Sequence, residues 1–262
     1  MSRKSKKRDI SFAKKISTKI FHEEPSYENP YISRKNYCHG YNTLDLLKKR
    51  SFFDFLYLLF RGDLPNSEQE SLLEKLFIAF SNPGPRHPAT RTAMLSGVSK
   101  VENENILPLS LCALSGAFMG AREVELCVRF LRKNKQKAIS EVTAEFISPD
   151  SPVNFPPGFG RIYGGKDLYS ADICEEFLKY RAIGSCFIFG NKLAEIFDAF
   201  EAGWLQTGLV AAVLADLGFH PNAAAGIYQI ISSPGLLAHG IEMVGKPLTS
   251  MPFLQDEDYT IE

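Results

Sequence analysis

Few residues in this chain are suited to chemistry, and they are scattered. Histidines stand at His22, His39, His87, His220 and His239, and one irregular stretch, "VNFPPGFGRIYGGKD" over 153–167, gathers prolines, glycines and an arginine. The prolines stiffen the approach, while Gly158 and Gly160 let backbone come closer to a ligand than side chains would allow. Arg161 can meet a phosphate or carboxylate through its planar fork. No apolar strand leads into the glycines, so this is not a dinucleotide-binding fingerprint. The stretch reads either as a functional loop or as a linker between two helical layers. No Ser/His/Asp or Cys/His set can be assembled from local motifs. The five cysteines, Cys38, Cys112, Cys127, Cys174 and Cys186, form no CxxC pair. They read as reduced thiols of a cytoplasmic protein, with no metal site.

Composition narrows the classes. The chain has 262 residues, 45% hydrophobic and 23% charged, with a formal net charge of +0. No global field therefore draws it to nucleic acid or to an anionic membrane. The exception is the opening: residues 1–20 carry eight lysines and arginines against Asp9 alone. That segment reads as a basic, disordered tail with too few apolar groups to offset its ordering entropy, or as a nucleic-acid or partner-binding arm. It lacks the apolar core of a secretory signal. The most apolar stretches, "SFFDFLYLLF" and "WLQTGLVAAVLADLGF", fall short of the roughly 20 apolar residues a membrane span needs.

The elements that must hold these residues read as helices. In "NSEQESLLEKLFIAFS", Ser67 and Glu70 form a capping-box pattern, and Leu72, Leu73, Leu76, Phe77 and Phe80 make one stripe. Val124, Cys127, Val128 and Leu131 follow the i, i+3, i+4, i+7 rule. Ser170 is placed to cap a helix with Ile173, Phe177 and Leu178 on one face, and Pro221 suits the first turn of another. Strand-type alternation is hard to find. An all-α protein is expected.

Four segments, in order, resemble the citrate synthase superfamily, in particular its citryl-CoA-lyase-like branch. They are "CHGYNTLDLLKKRSFFDFLYLLFRGDLPNSEQ", "LSGAFMGAREVE", "PPGFGRIYGGKDLYSAD" and "LADLGFHPNAAAGIYQIISSPGLLAHGIE", with compatible spacing across roughly residues 20 to 260. The resemblance implies an all-α dimer with a larger helical domain (21–122 and 226–262) and a smaller one (123–225) closing over the ligands. It also implies that Pro157, Gly158, Phe159, Gly160 and Arg161 contact coenzyme A or an acyl-CoA, without a metal.

The chemistry of that family is missing from the matching positions. Family enzymes use an aspartate to remove the methyl proton of acetyl-CoA, one histidine to donate to the thioester oxygen, and a second to polarise a keto acid. The first histidine falls within "GAFMGA", where Phe118 and Met119 stand. The second should follow Gly160, yet Arg161 comes there directly. Thr207 occupies the place of the aspartate, and Tyr169 that of a carboxylate-binding arginine. A threonine hydroxyl is no general base without a strong partner beside it. Glu123 and Asp167 lie near these motifs and read as solvated surface carboxylates. His239 reads as a satisfied structural histidine.

Two functional classes follow. One is an acyl-CoA-binding, catalytically degenerate subunit that pairs as a homodimer or with an active paralogue. The other is an active citrate-synthase or citryl-CoA-lyase-type enzyme using repositioned residues on a bulkier or less charged acyl substrate.

Overall fold

The computed structural model describes residues 12–147 and 152–260, so most of the basic tail lies outside the described residues. Its described end, 12–20, forms neither helix nor strand and leaves Phe12 and Ile16 exposed. The described residues fall into two compact units divided between Leu64 and Pro65.

The first unit holds a small sheet that the sequence did not announce. Strands β1 (His22–Pro25), β2 (Ser33–Cys38) and β3 (Tyr41–Asn42) pair antiparallel in that order. Half of β2 is exposed and its first four residues are polar, so no apolar alternation marks it. His39 and Gly40 make the β2–β3 turn with φ of 48° and 87°, the two-residue hairpin geometry that requires positive φ. Asn42 then caps α1 (Thr43–Lys49) by accepting from Leu44 N and Asp45 N. A reciprocal capping box between Ser51 and Asp54 starts α2 (Phe52–Arg61), and Gly62 closes it in the left-handed region. Cys38, Leu46 and Leu58 form the buried centre, with Phe55, Leu59 and Leu64 packed around them.

The second unit is helical. It runs α3 (Ser67–Phe80), α4 (Pro88–Val98), α5 (Asn103–Leu114), α6 (Ala121–Asn134), α7 (Ile139–Thr143), β4 (Phe159–Gly160), α8 (Leu168–Phe177), α9 (Ser185–Phe197), β5 (Gly203–Trp204), α10 (Gln206–Asp216) and α11 (Pro221–Met243). Helix α10 is its axis. Every residue from Thr207 to Ala215 is buried, as befits a helix that is apolar all round. Leu209, Val210, Val213 and Leu214 each stabilise the fold by about 1.5–3 kcal/mol through burial. α6 and α9 pack against α10, while α11 packs against α4, α5 and α6. Backbones come close where α4 meets α11: a Cβ on Gly97 would lie 2.3 Å from Gly240 O. Pro234 interrupts the α11 ladder, and the next amide, Gly235 N, donates to Ser81 O at 2.9 Å.

The helical stripes fall where periodicity placed them. Leu72, Leu73, Leu76 and Phe80 are buried on α3, and Val124, Cys127, Val128 and Leu131 on α6. Phe77 is half-buried, and Leu178 lies beyond the end of α8 and is exposed. Two caps differ from expectation. Asn66, not Ser67, caps α3, forming its box with Gln69. Asp167, not Ser170, caps α8, accepting from both the amide and the hydroxyl of Ser170. Among the described residues no helix is long and apolar enough to cross a membrane.

Candidate functional site

The cavity of interest opens where α4, α10 and α11 meet the loop before α6. Its walls are His87, Phe118, Met119, Arg161, Ile162, Leu205, Gln206, Thr207 and Tyr228, around a volume of about 20 Å³. Met119, Arg161 and Thr207, read as standing at the catalytic positions, are far apart in sequence. The fold brings all three to this one cavity.

Its organising atom pair is the Met119 peptide. Met119 adopts φ 55°, a left-handed conformation that a non-glycine residue keeps only when its surroundings over-determine it. They do so here from three elements. Its N–H donates to Glu123 Oε2 at 2.9 Å, while its carbonyl accepts from His87 Nε2 at 2.9 Å and from Tyr228 Oη at 3.4 Å.

His87 is the N-cap of α4. Its Nδ1 accepts from Ala89 N at 3.1 Å, so the hydrogen-bond network assigns the proton to Nε2, which donates to Met119 O. Burial lowers its pKa, against a smaller opposing effect of the Met119 bond. The ring is neutral, and both nitrogens are committed within the protein.

Glu123 sits at the third position of α6, where a capping-box carboxylate turns back toward the preceding backbone. It is 8% exposed, and Asp167 is 7% exposed, so neither is the solvated surface group expected from sequence. Glu123 Oε2 also accepts from Thr207 Oγ1 at 3.0 Å, and Oε1 accepts from Gly158 N at 3.3 Å. Burial raises its pKa; the bonds from Thr207, Gly158 and Met119 pull the other way. Thr207 thus has a carboxylate beside it, which sequence could not show. Burial, and behind it the Glu123 charge, pushes the Tyr228 phenol well above its ordinary value.

The Pro-Gly-Phe-Gly-Arg run is placed as follows. Gly158 has φ 83°, and a Cβ there would lie 2.6 Å from both Cys127 Sγ and Gly208 Cα, so its freedom serves contact within the protein. Phe159 is buried and stacks on Trp204 with ring centroids 4.4 Å apart. Phe159 and Gly160 form β4 and pair with Trp204 and Gly203 of β5. Pro157 is half-buried. Arg161 lines the cavity and donates Nε to Phe200 O at 2.8 Å. Tyr169 is outside the cavity wall, its hydroxyl donating to Ala79 O at 3.3 Å.

The remaining histidines do not join the cavity. His239 Nε2 meets Asn82 Oδ1 at 3.0 Å, His22 packs against Tyr37, and His39 Nε2 faces Leu59 O at 3.4 Å. All five cysteines are free thiols, four of them buried, and burial pushes Cys174 and Cys186 up to about 11. No His/Cys/Asp/Glu group able to hold a metal is found among the described residues.

Comparison with solved structures decides the fold. The chain superimposes on citryl-CoA lyase from Hydrogenobacter thermophilus with a TM-score of 0.74 at 22% identity, covering 94% of this chain and 95% of that one. It has the citrate synthase fold. ATP citrate lyase from Methanothrix soehngenii, solved with citrate and coenzyme A, gives 0.70 at 12% identity over 97% of this chain and 44% of that one. Citrate synthase from the archaeon Thermoplasma acidophilum, solved with carboxymethyl coenzyme A, gives 0.62 at 15% identity over 81% and 57%. No protein-family model matches the chain, and no curated protein matches it in sequence. The helical architecture inferred from periodicity and from four motifs is thus the architecture of the molecule, with two small sheets added to it.

Proposed function

We propose that this is a cytoplasmic, citrate-synthase-like protein that binds coenzyme A or an acyl-CoA without carrying out the carbon–carbon chemistry of its structural neighbours. In this reading it acts as a regulatory or partner subunit, paired with itself or with an active paralogue. Pro157 to Arg161 border the coenzyme, and residues 123–225 close against 21–122 and 226–262.

One observation carries the reading. Met119, Arg161 and Thr207 converge on a single cavity, so they occupy one site, and that site offers a thioether, a guanidinium and a hydroxyl where proton exchange near pH 7 is needed. The histidine that does reach the wall, His87, has both ring nitrogens in use. Glu123 already accepts from three donors. The neighbours solved with coenzyme A or citryl-CoA support the ligand class.

A second reading has its own support: Thr207 Oγ1 lies 3.0 Å from a buried carboxylate of raised pKa, a pair able to move a proton. One measurement tests the ligand that both readings share, and a second separates them. Calorimetric titration with coenzyme A and acetyl-CoA should give saturable binding. Thiol release from acetyl-CoA and oxaloacetate, run beside an active citrate synthase, should be slower by at least ~10⁴-fold, since each missing acid–base group is worth about 10²–10⁴-fold. Turnover within tenfold of the active enzyme would favour the Thr207–Glu123 pair and overturn the inert reading.

A further inference from the structure

We infer that residues 12–21, with the basic run ahead of them, dock on an anionic lipid surface, so that the first unit holds the protein against a membrane without crossing it. This goes beyond the acyl-CoA reading and does not depend on it.

Charge is the first ground. The formal net charge of +0 hides a division between the two units. Residues 1–64 carry fourteen lysines and arginines against seven aspartates and glutamates, whereas residues 65–262 carry sixteen against twenty-three. A unit with a surplus of seven positive charges is thus joined to one with a surplus of seven negative charges. Eight of the fourteen basic residues lie within 1–20. Such asymmetry directs one part of a molecule toward a polyanion even when the whole carries no net field. Beside an anionic bilayer, each lysine or arginine strengthens partitioning roughly fivefold.

Apolar exposure is the second ground, and it selects the polyanion. Phe12 is 97% exposed, Ile16 100%, Ile20 51% and Phe21 52%. Between them stand Lys14, Lys15 and Lys19, all exposed. In a helix, Phe12, Ile16 and Ile20 recur every four residues and share a face with Ala13, while Lys14, Lys15 and Thr18 fall elsewhere. Lys19 borders the apolar face, where its stem lies along hydrocarbon and its ammonium reaches the headgroups. That is the pattern of a helix lying in the plane of a bilayer interface. Away from lipid nothing rewards it. So short a helix is marginal in water, and residues 12–20 form neither helix nor strand. Nucleic-acid phosphates would satisfy the lysines but leave the isoleucines unexplained, because an aliphatic side chain has no ring to stack on a base.

The segment also has a fixed root. Lys19 O accepts from His39 N at 3.0 Å, Ile20 N donates to Thr18 Oγ1 at 3.1 Å, and β1 begins at His22. Residues 12–18 can therefore coil into a helix without breaking a ladder bond of the sheet. No described helix is long and apolar enough to cross a membrane, and an interfacial helix needs no such length.

The test is co-sedimentation of the full-length protein with vesicles of three parts phosphatidylcholine to one part phosphatidylserine, and with phosphatidylcholine alone. Partitioning should be at least ~10-fold stronger on the mixed vesicles, and should fall steeply when salt is raised from about 0.1 M to about 0.5 M. Phe12→Ser/Ile16→Ser keeps every charge and should lose at least ~10-fold. Lys14→Glu/Lys15→Glu keeps the apolar face and should lose more, because two attractions become repulsions. All four side chains are exposed, so these losses are read on a folded protein. No partitioning to either vesicle, equal partitioning to both, or full partitioning by Phe12→Ser/Ile16→Ser would overturn the inference. Retention on double-stranded DNA with none on the mixed vesicles would also overturn it, making the segment a nucleic-acid arm. Residues 12–21 do not line the cavity, so any of these failures leaves the acyl-CoA reading to its own titration.

Discussion

Two helices of this protein begin with the same dipeptide. α4 opens on His87-Pro88 and α11 on His220-Pro221, and in both the proline takes the first helical position while histidine Nδ1 accepts from the second helical amide. The bonds are alike, 3.1 Å from Ala89 N and 3.3 Å from Asn222 N. What lies on the far side of the ring differs. His220 is exposed, whereas His87 is 4% exposed and donates to the carbonyl of a strained residue at a cavity wall. The same local device only starts a helix in one place and also braces a candidate site in the other. Local sequence sets the cap, and the neighbours set the chemistry.

The comparison can be broken most severely at the buried start. His87→Ala removes a cap worth about 1 kcal/mol, empties the space of a buried ring and takes from the Met119 carbonyl its shorter bond, leaving only Tyr228 Oη at 3.4 Å, which together cost about 1–3 kcal/mol more. Urea unfolding should report a loss of about 2–4 kcal/mol. His87→Asn should recover part of that, because asparagine caps well but is too short to reach Met119 O. A smaller effect is expected from the other side of the Met119 peptide. Glu123→Gln keeps the shape but turns one acceptor oxygen into a donor facing N–H or O–H groups, a loss of about 1–3 kcal/mol by the same measurement. If Glu123→Gln proves neutral, the carboxylate does not anchor the loop. The smallest change should follow His220→Ala, at most about 1 kcal/mol, since only an exposed cap is lost. Equal losses at the two histidines would refute the contrast.

Acidity sharpens the contrast further. The folded His87 pKa lies below its usual value, so the unfolded chain takes up a proton that the folded chain resists. Stability from this group is present above about pH 6.5 and falls as the pH drops below it, by up to about 1.4 kcal/mol per pH unit, levelling off beneath the folded pKa. Glu123 has the opposite sign. Its folded pKa is raised, so its contribution is complete below about pH 4.5 and is lost as the pH rises through the folded value. Unfolding curves between pH 5 and 7 should therefore be flatter for His87→Asn than for the unaltered protein. An identical slope would mean that His87 titrates normally.

Much of the fold was legible in the sequence, because burial of an apolar helical face writes a period into the chain. Val124, Cys127, Val128 and Leu131 show it on α6. Caps were legible only to within a few residues. Asn66/Gln69 and Ser67/Glu70 satisfy the same pattern one residue apart, and Asp167 and Ser170 are both good caps. The sheet of the first unit was not legible, since β2 is half exposed and its side chains do not alternate between apolar and polar. Glu123 was missed for a different reason. Read along α6, it is one polar residue beside an apolar stripe. Its burial comes from Gly158 and Thr207, 35 and 84 residues away.

The sequence by itself determined the helical class, the apolar stripes, the glycine and proline punctuation, and the residue types at 118, 119, 161 and 207. These depend on nearest neighbours along the chain and on side-chain identity. Only the tertiary structure decided that Met119, Arg161 and Thr207 share one cavity, that His87 and not His220 braces it, and that Glu123 lies buried at its base. Burial and hydrogen-bond partnership are properties of groups brought together by folding, and no local pattern carries them.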